Sequence, residues 1–223
     1  MMTRPPLLLV GSSGQAHAVL AVLQRLGAYQ VVGLIDSYQP RGSHCHGYPI
    51  LGSIADLPEL CALHAVEQVF IAIGDNYQRD VMMATVARCC PGIHFPVLID
   101  PSAVIGHGVS IGDGSIIMPL AHVGPGSILG SGCLVNTRSS LDHDGQMGAF
   151  ASLAPGATTG GDVSIGARSA IGLGAAVRHH VSIGSDTVIG MGSLVTSDWP
   201  DGVVAYGTPA RLIRTRTVDE PYL

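Results

Sequence analysis

The sequence predicts an α/β Rossmann-like domain followed by an all-β parallel β-helix of hexapeptide repeats. Two patterns carry that prediction. Residues 1–98 alternate short apolar runs with stretches of helical spacing, and from Ile99 onward large aliphatic residues recur every six positions. Composition supplies a third observation: the 223 residues include 30 glycines, only 4% aromatic and 12% charged residues, and 47% hydrophobic ones. An average chain holds about 7% glycine and about 25% charge, so this one uses many tight turns and small side chains and is too apolar for disorder. Three segments follow: an α/β domain at 1–98, a β-helix at 99–200 and a C-terminal tail at 201–223.

In the first segment Leu7–Val10, Val31–Ile35, Val69–Ile73 and Phe95–Ile99 are expected as buried parallel strands, with helices over Ala16–Leu26 and Gln78–Cys89. The loop Gly11-Ser12-Ser13-Gly14-Gln15-Ala16 leaves the first strand and opens the first helix. Its N–H groups and the helix N-terminus suit a phosphate. Asp36 ends the second strand, where a carboxylate can accept from a ribose or a base. Gly74-Asp75-Asn76 follows the third strand at the same sheet edge, where ligands collect in open α/β folds. Gly11, Ser12, Ser13, Gly14, Asp36, Gly74 and Asn76 are therefore the candidate nucleotide-binding residues. Ser13 occupies the place of the middle glycine in G-x-G-x-x-G, which argues against a dehydrogenase, as does the absence of a second catalytic domain.

In the second segment the row stepping by six from Ile99 to Val195 has seventeen members, and only Thr159 is neither aliphatic nor Met. The position after each is glycine in ten of the seventeen hexads. Such a chain winds as a triangular prism in which the aliphatic fills the interior and glycine is expected to take the strained corner dihedrals. Three hexads close a coil of 18 residues, so residues 18 apart stack, at about 4.8 Å per coil.

One polar cluster interrupts the corners: Asn136, then Leu141-Asp142-His143-Asp144-Gly145. His143 lies two places after an inward leucine and so points out of the prism. Flanking acids raise the basicity of an imidazole and can orient it, which a general base near neutral pH requires. Gly161 is 18 residues further on and stacks on His143, and the Gly160-Gly161 pair leaves backbone there unshielded, open to a thioester.

Other chemistries are excluded on the same grounds. Eleven basic residues against sixteen acidic ones give a net charge of −5, so nucleic acid is not an expected partner. No run of 18 apolar residues occurs, and the run Leu7–Val10 is too short for a signal-peptide core, so no membrane association and a cytoplasmic location are expected. The five cysteines lack a C-x-x-C pair and read as reduced, buried thiols. His107 and His179 are each two coils from His143, and His44-Cys45-His46 has no further clustered ligands, so no metal is expected.

The glycine loop, the Gly74 segment, the hexads, the stretch from Asn136 to Asp144 and Gly207-Thr208-Pro209-Ala210-Arg211 together resemble the bacterial nucleotide-sugar N-acetyltransferases. Relatives of that family include UDP-4-amino-sugar and perosamine acetyltransferases and the sialic acid O-acetyltransferase group. The resemblance implies a left-handed coil, a homotrimer with sites between subunits, acetyl-CoA as co-substrate and a nucleotide-activated amino sugar as acceptor. By motif it makes His143 the general base, Asp144 its acidic partner and Asn136 a further catalytic residue. Ser152, Gly160 and Gly161 fall to acetyl-CoA, with the Gly161 amide facing the thioester carbonyl. Gln15 and Ser152 stand where the family usually has histidine. The implied reaction is N-acetylation of the 4-amino group of a nucleotide-linked 4-amino-4,6-dideoxy sugar. The alternatives are a sialic acid O-acetyltransferase and a noncatalytic nucleotide-sugar-binding trimeric scaffold.

Overall fold

The computed structural model describes residues 4–222, and the chain divides into two compact units. One runs to Gly74 and takes up Gln78–Pro96; the other holds Asp75–Tyr77 and everything from Val97.

The first unit is built from β1 (Pro6–Val10), α1 (Gly14–Leu26), β2 (Gln30–Ile35), β3 (His44–Cys45), β4 (Tyr48–Gly52), a 3₁₀ turn at Ile54–Asp56, α2 (Leu57–Leu63), β5 (Gln68–Ile71) and most of α3 (Asn76–Cys89). Its sheet runs β3-β4-β2-β1-β5, parallel except where β3 turns back on β4. Central β1 buries Leu7, Leu8 and Leu9 completely, which is why it reads as a continuous apolar run instead of an alternation. Helix α1 presents Ala16, Val19, Leu20, Val22 and Leu23 to the core. It ends at Gly27, whose left-handed backbone lets its N–H reach the Leu23 carbonyl.

Two expectations need correction. The β3–β4 hairpin and α2 were not anticipated, since a two-residue strand and a seven-residue helix are too short to show periodicity. Phe95–Ile99 is not a strand of this sheet: His94 makes a single bridge to Gln68, and Leu98–Ile99 belongs to the β-helix. A short apolar run looks the same whether it fills a sheet or a prism.

The second unit is a left-handed β-helix of seventeen two-residue strands, from β6 (Leu98–Ile99) to β22 (Leu194–Val195), which follow one another every six residues and stack 18 residues apart into three parallel ladders. The first ladder carries β13 (Ser140–Leu141) and β16 (Thr158–Thr159), the second β14 (Gln146–Met147), the third β12 (Leu134–Val135) and β15 (Ser152–Leu153). The inward row makes one continuous core, with Ile117, Val123, Val135, Leu141, Leu153 and Ile171 among its buried members. Residues past 200, set apart above as a tail, form a hairpin of β23 (Val203–Gly207) and β24 (Ala210–Thr215) that extends the third ladder.

The glycines after the inward row do not take the strained dihedrals. Positive φ falls two positions later, at every sixth residue from Gly108 to Gly192, where Leu120, Arg138, Asp144, Phe150 and others tolerate it. The glycines at 106, 112, 148 and 166 are needed for space: a Cβ there would lie 2.4–2.5 Å from a backbone nitrogen of the next coil. Among the described residues no helix is long and apolar enough to cross a membrane.

Candidate active site

In the first unit, β1 delivers the chain to Gly11, whose φ of 109° and close approach to the Ala72 carbonyl, 2.9 Å from where a Cβ would stand, admit only glycine. Ser12 Oγ donates to Asp36 Oδ2 at 2.6 Å, and the Tyr38 N–H donates to Asp36 Oδ1 at 2.8 Å. The end of β2 is thus locked to the glycine loop with the carboxylate at the rim. Ser13 stands at the N-cap of α1 without a capping side-chain bond, so the first N–H groups of the helix face outward for an anion. No atom lies within 4 Å of a Cβ placed on Gly14, so this turn is open. Gly11, Ser12, Ser13 and Asp36 border a cleft of about 510 Å³ that also takes in Tyr38, Ile73 and Gln78, while Gly14 lies outside its lining.

Gly74 lies just outside that cleft. The buried Arg79 donates to the carbonyls of Ile73 and Gly74 at 3.0 and 2.9 Å and fixes the loop after β5. Asn76 does not join the cleft, contrary to expectation. Its side chain is 0% exposed, and its amide donates to Ser152 Oγ at 3.0 Å and to the Arg168 and Ser169 carbonyls at 3.1 Å within the second unit. Sequence reading also missed His46 and His17. Their rings stack at 4.2 Å, and His46 Nε2–H donates to the Ser12 carbonyl at 3.1 Å. The glycine flanks of His44-Cys45-His46 hid a turn that folds back on the loop.

In the second unit, His143 and Asp144 occupy the corner between the first and second ladders. His143 Nδ1–H donates to Asp144 Oδ2 at 2.9 Å, with the two side chains 55% and 67% exposed. That bond holds the imidazole pKa above its ordinary value, opposed by desolvation and assisted by the charges of Asp142, Asp144 and Asp162. It also leaves Nε2 as the basic nitrogen. The ring lies over Gly161, where a Cβ would come within 2.2 Å of Nε2. Gly160 serves the coil beyond, since a Cβ there would meet the His179 nitrogen at 2.8 Å. Gly126, one coil before Asp144, leaves room for its carboxylate, 2.6 Å from the Cβ it lacks.

Two predicted residues stand elsewhere. Asn136 is at the neighbouring corner, between the third and first ladders, where its Oδ1 accepts from the Thr137 N–H at 2.8 Å. Seven residues carry the chain along one side of the triangle, so closeness in sequence does not bring Asn136 to His143 within one chain. Ser152 is on the third ladder, 7% exposed, its hydroxyl accepting the Asn76 amide. Within one chain it stands on a different ladder from the His143 corner.

The cysteines are free thiols. Burial pushes Cys90 up to about 12 and raises Cys61, so both stay protonated and unreactive. Among the described residues no group of three or more His, Cys, Asp or Glu is placed to hold a metal ion.

Residues 6–86 match the family model described as the PglD N-terminal domain. No curated protein gives a significant match. Among solved structures, GDP-perosamine N-acetyltransferase from Caulobacter crescentus superimposes with a TM-score of 0.89 at 31% identity, over 95% of this chain and 98% of that one. It was crystallised with CoA and GDP-perosamine as variants in which one histidine is replaced by alanine or asparagine. The acetyltransferase domain of PglB from Neisseria gonorrhoeae FA1090, in complex with acetyl coenzyme A, gives 0.86 at 32% identity over 95% and 100%. WeeI from Acinetobacter baumannii AYE gives 0.84 at 28% identity over 95% and 100%.

Proposed function

Because this chain belongs to the bacterial nucleotide-sugar N-acetyltransferases, at 31–32% identity over 95% of its length, we propose that it transfers acetyl from acetyl-CoA to the 4-amino group of a nucleotide-linked 4-amino-4,6-dideoxy sugar. The observation that carries the reading is the His143–Asp144 pair held over Gly161. The sugar nitrogen attacks the thioester carbonyl carbon while Nε2 takes its proton. The tetrahedral intermediate then expels the CoA thiolate, which recovers a proton from the imidazolium, and no covalent enzyme intermediate is needed. The Gly161 N–H serves the oxyanion, a contribution of about 3 kcal/mol in such sites. In the first unit the open N-terminus of α1 takes the nucleotide's phosphates and Asp36 its ribose or base.

The active form in this proposal is a homotrimer with sites between neighbouring β-helices. Two observations support it. Asn136 and His143 sit on adjacent corners of one prism, so a second copy is needed to bring such corners face to face. Leu120, Leu173 and Met191 stand exposed on the Asn136 corner, and Val104 and Leu194 on the first ladder, an apolar surface of the kind that marks an interface. A cytoplasmic location follows from the dependence on acetyl-CoA.

The test is an incubation with acetyl-CoA and GDP-, UDP- or dTDP-linked 4-amino-4,6-dideoxy sugars, following thiol release and product mass. One of them should gain a single acetyl group in step with CoA release. Failure of all three to release thiol above the hydrolytic background contradicts the reading.

A further inference from the structure

Thr159 is the one break in the inward aliphatic row, and the structure gives the break a purpose. Its side chain is inside the prism, 7% exposed. On the first ladder, the residue after each inward position donates its N–H to the carbonyl of the inward residue one coil on. Gly106 reaches Val123, Gly124 reaches Leu141, Gly160 reaches Val177 and Arg178 reaches Val195, at 2.7–2.9 Å. At Asp142 that rung is replaced: its N–H donates to Thr159 Oγ1 at 3.1 Å. Ser140 still pairs with Thr158, but the pairing does not continue to Leu141 and Thr159, whereas the next steps of the ladder carry both pairs.

The displaced rung leads directly to the reacting imidazole. Asp142 Oδ1 accepts the His143 N–H at 2.7 Å, and His143 Nδ1–H donates to Asp144. We infer that Thr159 is a positioning residue, whose inward hydroxyl replaces a backbone rung to set the height of the Asp142–Asp144 corner and so hold the His143 ring over Gly161. The inference rests on the proposed role of His143. Its physical basis is spacing. A side-chain oxygen reaches beyond its own backbone, so the Asp142 N–H is held without the carbonyl rung that the other coils use. An aliphatic residue at 159 fills the core equally well but offers the Asp142 N–H only its backbone carbonyl, as on the other coils, and the corner must move for that rung to form.

The experiment compares Thr159→Val, which keeps the shape and completes the aliphatic row, with Thr159→Ser, which keeps the hydroxyl. Thr159→Val should lower kcat by about tenfold to a hundredfold, the scale of an ångström-level misplacement. KM for both substrates should stay within about twofold and the melting temperature should not fall, because the change removes no packing. Thr159→Ser should restore most of kcat. A readout independent of turnover is the NMR titration of the His143 ring, faced by Asp142, Asp144 and Asp162. Its midpoint should drop in Thr159→Val as the bond to Asp144 loosens, and recover in Thr159→Ser. This readout decides the matter even if the wild type transfers no acetyl, an outcome that would count against the proposed reaction alone. Wild-type kcat and titration in Thr159→Val, or equal losses in both variants accompanied by lowered melting temperatures, would overturn the inference.

Discussion

At the scale of the residue, the proposed chemistry depends on how one exposed imidazole is held. His143 has neighbours on three sides: Asp144 at Nδ1, Asp142 at its backbone N–H and Gly161 beneath the ring. A general base must be neutral before it acts, so activity is present above the imidazole pKa and is lost as pH falls through it. The bond to Asp144 raises that pKa, so Asp144→Asn should move the acid limb of the kcat profile to lower pH. It should also lower kcat by less than removal of the imidazole does, because orientation suffers while the base remains. A pH–rate series of the two proteins checks both; an unmoved acid limb would remove Asp144 from the account. The stacking of Gly161 on His143 was legible in the sequence as a spacing of 18, since the coil length converts directly into contact. The separation of Asn136 from His143 was not, because a distance of seven along the chain says nothing about which corner a residue turns. Thr159 was visible as an irregularity, but its purpose required the hydrogen bond.

At the scale of the element, the glycine loop, β2 and α1 form one device. Ser12 and the Tyr38 N–H fix both oxygens of Asp36 beside the uncapped helix start. Asp36→Ala should weaken binding of the nucleotide sugar by about tenfold, the usual range for one buried or charged hydrogen-bonding group, and leave acetyl-CoA affinity unchanged. Isothermal titration with each ligand separates the two, and an equal loss for both would make Asp36 a structural residue. The loop and the long strands could be read from the sequence because glycine punctuation and apolar runs report local geometry. The recruitment of Asn76 to the β-helix unit could not, since it follows from tertiary packing against Ser152, Arg168 and Ser169. The hexad glycines teach a related lesson. Their period gave the fold, yet the reason for them is crowding between coils, while the left-handed backbone sits two residues on and is tolerated by Asp144 and Arg168.

At the scale of the whole molecule, the prism carries exposed apolar residues on one corner and the imidazole on the next, the arrangement on which the proposed trimer rests. Light scattering should give three times the chain mass of 22.9 kDa, and a monomer with full activity would contradict the shared site. In the proposed reaction everything passes through removal of the amine proton by His143. That step is tested most directly by His143→Asn, assayed for turnover and, separately, for binding of CoA and the nucleotide sugar. If His143 is the base, kcat should fall by about 10² to 10⁴ with both affinities nearly intact, the signature of an interaction made only in the transition state. A His143→Asn protein that turns over at the wild-type rate would contradict it.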